Sequence, residues 1–339
     1  MADLGVAVIG CGSTAERRHL PVWTKLAGTR LVAVVSRDAA RAQAAAQRYG
    51  AARPLTDWHD LLADPEVQVA DICVPHPQHA EVAIAMARAG KHVLCEKPLA
   101  PQLSAARAMA AAARAAGTLL FPFHNMRLLG ASSAAIRLVR AGRIGRPLLL
   151  RAVMCHGGPD ATDPRRHWFL EAGSGGGAVL DLGPHLFDLV RALQPTPARR
   201  LRAVLLQPPD HAVERDGVVD VEFADGSLAA LTLSWSQGAG RETSLVVHGT
   251  AGTLRVCLLQ APDPSPGQRA ASLVLGEGWG MQVAVSYPEP EPDGEPCTAL
   301  VRALAGEPPA VSADDGVEAI RWVDACYRSH ATRGAWIDL

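Results

Sequence analysis

Gly5-Val-Ala-Val-Ile-Gly10-Cys-Gly-Ser-Thr-Ala15, close to the start of the 339-residue chain, decides how the rest is read. Gly5 to Ile9 is a continuous apolar run with two valines and an isoleucine, the pattern of a buried strand. A glycine turn follows at once. A helical pattern then runs to about Leu26, where Pro21 implies a kink or a late helix start. The turn has the spacing G-x-G-x-x-A: Gly10 permits the tight bend, Gly12 lets a pyrophosphate approach the backbone, and Ala15 allows close helix–strand packing. Ser13 and Thr14 complete the loop as candidate dinucleotide contacts. Glycine turns after strands are common, and it is the position of this one in the first βα unit that gives it weight.

The same grammar repeats. Leu31 to Val35, Val67 to Val74, His92 to Cys95 and Thr118 to Phe121 read as strands, separated by helical patterns at Ala39 to Tyr49, Ala80 to Ala89 and Gln102 to Ala116. This alternation predicts an α/β Rossmann domain over residues 1–122, a doubly wound parallel sheet with helices on both faces. Ligands of such a sheet bind at the carboxyl ends of its strands. Gly10 to Ala15, Ser36 with Arg37, Pro75 with His79, and Glu96-Lys97-Pro98 all fall on that rim. Ser36 and Arg37 suit the 2′-phosphate of NADP, whereas Asp38 either caps the next helix or reaches a ribose. NADP(H) is therefore favoured, with NAD(H) as the alternative. Lys97 stands out by composition: among 33 basic side chains only three are lysines, at 25, 91 and 97. An amine with a tunable pKa suits a group that polarises a hydroxyl or carbonyl.

Net charge is −1 and 48% of residues are hydrophobic, which offers no footprint for nucleic acid or an anionic membrane. The N-terminus lacks a basic region and its apolar run is only strand length, so a cytoplasmic protein is expected. Seven scattered cysteines, without a CxxC or metal-like spacing, read as free thiols.

From about residue 123 the pattern changes, and residues 123–339 are expected to form an α+β domain that would serve substrate binding and oligomerisation. A helix, Ala131 to Ala141, precedes a strand from Pro147 to Met154 and a polar loop. From Gly177 a helix carries Leu182, Leu186, Leu189 and Leu193 as a core stripe. Asp181 and His185 are one turn apart on it, with Asp188 further along. This is the geometry of an oriented general acid/base, although such a pair on a helix is more often a structural histidine. No third ligand recurs at suitable spacing, so no metal is expected. Arg200 to Leu206, Val218 to Phe223, Ser227 to Trp235, Thr243 to His248 and Gly252 to Cys257 read as strands joined by short turns. With the strand from Pro147 they predict an open, mostly antiparallel sheet of about six strands, whose far face pairs subunits into a homodimer or homotetramer.

Gly10 to Ala15, Pro75 with His79, Glu96-Lys97-Pro98, Arg127, and Gly176-Gly177 followed by Asp181, Gly183, His185 and Asp188 together resemble the glucose-fructose oxidoreductase/inositol dehydrogenase (Gfo/Idh/MocA) family. The likeness spans nearly the whole chain. It implies that Lys97 contacts the reacting oxygen with Asp181 and His185 as its catalytic partners, and that Glu96 and Lys97 line the cofactor pocket. It also places Arg165, His167 and Trp168, with Arg127, towards the substrate. The implied activity is hydride transfer between a nicotinamide and a secondary alcohol or ketone of a sugar or cyclitol. Other classes remain: a glycosidase or eliminase using bound NAD transiently, an imine reductase, or a non-catalytic dinucleotide-binding regulator.

Overall fold

The computed structural model describes residues 3–159, 168–171, 173, 175–238, 241–260, 270–277, 281–288 and 295–339. The chain divides into two compact units, Met1–His124 with Glu295–Val317, and Asn125–Gly294 with Glu318–Leu339.

In the first unit, β1 (Leu4–Ile9), β2 (Thr29–Val35), β3 (Arg53–Leu55), β4 (Val69–Ile72), β5 (His92–Cys95) and β6 (Leu120–Pro122) form one parallel sheet in the order β3-β2-β1-β4-β5-β6. The strand order reverses beside β1, and a dinucleotide sheet takes its ligand at such a switch point. Val6, Ala7 and Val8 are wholly buried at the centre. The expected long first helix is instead a π turn, Ala15–His19, followed by the short α1, Leu20–Trp23. Pro21 has no N–H to return to the preceding turn, so regular α geometry is interrupted there. α2 (Ala39–Tyr49), α3 (His79–Arg88) and α4 (Leu103–Ala116) fall where their apolar periodicity puts them. β3 is an addition, a three-residue edge strand whose Pro54 is tolerated because an edge need not donate on both sides.

The second unit begins with α5 (Asn125–Leu128) and α6 (Gly130–Arg140), then β7 (Pro147–Cys155) and α7 (Ala178–Leu193). β8 (Ala198–Leu206), β9 (Asp216–Phe223), β10 (Leu228–Ser234), β11 (Glu242–Gly249), β12 (Gly252–Gln260), β13 (Ala270–Glu277) and β14 (Met281–Pro288) follow. α8 (Pro296–Leu304) belongs to the first unit. α9 (Ala313–Ala331) and β15 (Ile337–Asp338) close the chain. The sheet runs β14-β13-β12-β11-β7-β10-β9-β8-β15 and is antiparallel except for the β7–β10 pair. It is larger than expected because β13 and β14 extend one edge and β15 the other. Alternation decides its faces: Val219, Val221 and Phe223 of β9 are buried, whereas Val218 points outward and is more than half exposed. Among the described residues no helix is long and apolar enough to cross a membrane.

Candidate active site

The fingerprint turn can be tested glycine by glycine. Gly10 sits at φ +104°, and a Cβ there would lie 2.7 Å from the Cys73 carbonyl, so only glycine lets β1 and β4 end side by side. A Cβ on Gly12 would meet nothing within 4 Å. The backbone at Gly12 is thus bare on the side where a pyrophosphate would approach, while Ala15 is fully buried against the sheet. Ser13 and Thr14 are half-buried at the start of the helical turn. These residues fit a dinucleotide.

At the end of β2, Arg37 is exposed and Ser36 half-buried. The Asp38 carboxylate caps α2, accepting from the Ala40 N–H at 3.0 Å and the Arg41 N–H at 3.2 Å. At the end of β4, Pro75 starts a short 3-10 turn and His79 lies fully buried behind it. The His79 ring nitrogens face the Val74 and Pro98 carbonyls at 2.8 and 2.9 Å. Burial holds this imidazole below its usual range. A neutral ring donates to only one of those carbonyls, and it staples the turn after β4 to the turn after β5.

The turn after β5 contains a cis bond between Lys97 and Pro98. Glu96 is buried beneath it and anchors it twice: Oε2 accepts the Lys97 N–H at 2.9 Å, and Oε1 meets His19 Nε2 at 3.1 Å. The other His19 nitrogen meets Asp71 Oδ2 at 2.9 Å, and the Trp23 indole donates to the same oxygen at 2.7 Å. Phe123 stacks on the His19 ring with centroids 4.2 Å apart. Burial alone would lower the His19 pKa, but Asp71 outweighs it and the ring is held well above the ordinary range. Burial would likewise raise Glu96, yet the bond and charge of His19, with Lys97 and Arg18, hold it below the carboxylate range. Sequence reasoning missed this network, because nothing in the spacing of His19 and Asp71 marks them as partners.

His19, Asp71 and Cys297 also form the one group among the described residues whose ligand atoms converge enough for a metal, within 4.8 Å of one another. Both His19 nitrogens already face carboxylates, and burial drives the Cys297 thiol far from the thiolate a metal needs. The cluster is a closed polar network.

In the second unit, α7 presents Asp181 half-buried and His185 and Asp188 buried. The Trp235 indole, from the end of β10, donates to Asp181 Oδ2 at 3.3 Å. His156, just past β7, brings Nε2 to 3.9 Å from the same oxygen. Asp188 receives the Arg127 guanidinium in a two-pronged pair, with Nε to Oδ2 at 2.9 Å. Trp168 is half-buried and stacks on Phe169 at 3.7 Å. Arg165 and His167 lie outside the described residues.

Residues 4–124 match the profile of the oxidoreductase family with an NAD-binding Rossmann fold, and residues 133–255 that of the GFO/IDH/MocA C-terminal domain. The chain belongs to the Gfo/Idh/MocA oxidoreductases, enzymes built on an NAD-binding domain. It is 34% identical over 245 residues to 1,5-anhydro-D-fructose reductase of Ensifer adhaerens, covering 71% of this chain and 72% of that protein. To myo-inositol 2-dehydrogenase of Thermotoga maritima it is 28% identical over 286 residues, 81% and 80% of the two chains. Among solved structures, GenD2 from gentamicin A biosynthesis in complex with NAD superposes with a TM-score of 0.83 at 29% identity, over 100% of this chain and 97% of that one.

Proposed function

We propose that this enzyme transfers hydride between NADP(H) and a secondary alcohol or ketone of a sugar or cyclitol. The relatives named for an anhydro-sugar and for myo-inositol support the substrate class. The observation that carries the cofactor reading is the Asp38 carboxylate: it is spent on the first N–H groups of α2, which leaves Ser36 and Arg37 to meet the 2′ position of the ribose. Gly10, Gly12, Ser13, Thr14 and Ala15 would hold the pyrophosphate, with Pro75, Glu96 and Lys97 further along the rim.

When bound, the nicotinamide supplies hydride exchange at the carbinol carbon. In the oxidation direction His185 takes the hydroxyl proton, and Asp181, held by the Trp235 indole, steadies the imidazolium. The Lys97 ammonium stabilises the developing alkoxide, its backbone anchored by Glu96. In reduction His185 returns the proton. Arg127, Arg165, His167 and Trp168 are assigned to the substrate side. The outward face of the second unit's sheet, with Val218 and Leu206 exposed, supports a homo-oligomer joined there.

Calorimetric titration with NADPH and NADH, followed by turnover of 1,5-anhydro-D-fructose and myo-inositol, tests the reading. Tighter binding of NADPH is expected. Lys97→Met and His185→Ala should each abolish turnover while cofactor binding survives; near-normal turnover in either variant would sink the assignment.

A further inference from the structure

Helix α7 starts without a cap of its own. Its N-cap position is Gly177, at φ +115°, with no side chain to accept the first N–H groups. A helix start leaves about four such donors. Two are met by Glu214, from the segment before β9: its carbonyl accepts the Ala178 N–H at 3.1 Å, and its Oε1 accepts the Val179 N–H at 2.9 Å. The Tyr327 hydroxyl, from α9, donates to the same Oε1 at 3.0 Å. Gly177 has to be glycine for this contact to exist, since a Cβ there would lie 2.3 Å from the carboxylate oxygen. Glu214 itself is only 7% exposed.

The neighbouring residue extends the hold. The Arg215 guanidinium donates to the Trp235 carbonyl and the Trp235 N–H donates to the Arg215 carbonyl, each at 2.8 Å. The Trp235 indole then donates to Asp181. Glu214 and Arg215 therefore reach Asp181 by two routes, through the helix start that sets its backbone and through the indole that holds its carboxylate.

We propose that Glu214 is a positioning residue for the reaction: as an acceptor supplied from outside the helix, it sets where α7 begins and so where Asp181 and His185 stand. The inference rests on the assignment of those two residues above. Glu214→Ala removes the acceptor, whereas Glu214→Gln keeps an amide oxygen for both donors.

Glu214→Ala is expected to lower kcat about 10- to 100-fold, the scale of a small misplacement of catalytic groups. The NADPH Kd should not change, and Glu214→Gln should restore most of kcat. Amide exchange over residues 178–182 supplies a readout that needs no substrate, faster in the alanine variant and unchanged in the glutamine one. Tyr327→Phe, which keeps the ring and removes its hydroxyl, should fall between them. It carries the test should Glu214→Ala not fold. Gly177→Ala should cost less in the Glu214→Ala background than in the wild type, because the opposing carboxylate is gone.

Wild-type kcat or unchanged exchange in Glu214→Ala overturns the proposal. Equal kcat losses in the alanine and glutamine variants, both with a lowered Tm, assign Glu214 to stability alone and overturn it too. His185→Ala run alongside separates the failures: turnover surviving there defeats the reading of α7, whereas loss there with full activity in Glu214→Ala defeats only the role of Glu214.

Discussion

His19 is wholly buried with a carboxylate at each ring nitrogen, so it must carry both protons to donate to both. That requirement sets a pH dependence. The ring's ordinary pKa is 6.5 and its folded value is well above it. The stability this contact supplies is therefore fully present below about pH 6.5 and lost as pH rises through the folded value. Glu96 has the opposite sign: its folded value lies below the ordinary 4.5, so its contribution is present above pH 4.5 and lost as pH falls through the lower one. Urea unfolding at pH 6.5 and pH 9 should show the wild type losing stability on the alkaline side and His19→Gln showing a flatter profile. At pH 6.5 the substitution should cost about 3–5 kcal/mol, the range for a buried ion pair deprived of one partner. Parallel profiles for the two proteins would remove the charged ring from the account.

Helix α7 combines what was legible with what was not. Its leucine stripe, and the placing of Asp181 and His185 one turn apart, follow from periodicity, as do β1, the glycine turn and helices α2, α3 and α4. These are local patterns, and a single sequence carries them. Partners brought in from far along the chain leave no such mark: Asp188 meets Arg127 of α5, Asp181 meets Trp235, and the helix start meets Glu214. Sequence reading set Arg127 towards the substrate without naming a partner for it; its side chain is 11% exposed and two-pronged on Asp188. The pair offers its own test. Arg127→Ala alone should cost about 3–5 kcal/mol by leaving a buried carboxylate unmatched, and Arg127→Met with Asp188→Leu should recover most of that. Chemical denaturation of the two single variants and the double variant gives the coupling. Additive losses would show that the ion pair does not tie α5 to α7.

At the scale of the whole molecule, the second unit's sheet leaves Val204, Leu206, Val218 and Leu228 exposed among the described residues. At one end of β8 and β9 the cross-strand pairs are charged, Arg200 with Glu222 and Arg202 with Asp220. Further along they become apolar, with Val204 opposite Val218 and both more than half exposed. Such a strip suits a second copy of the chain. Leu206→Glu with Val218→Glu should shift the sedimentation coefficient to that of a monomer while NADPH binding is retained; an unchanged coefficient would place the subunit contact elsewhere. The first unit carries a different consequence, one of timing. Its core is closed by residues from the far end of the chain: Cys297 is wholly buried in it, and a Cβ on Gly316 would press within 2.6 Å of Pro122. The first unit therefore joins residues up to 124 with residues 295–317, and it closes only after the whole of residues 125–294 has been made. Until Gly316 has been synthesised, Leu99 and Pro122 lack their covering, and the nascent chain must carry that apolar surface while residues 125–294 are made.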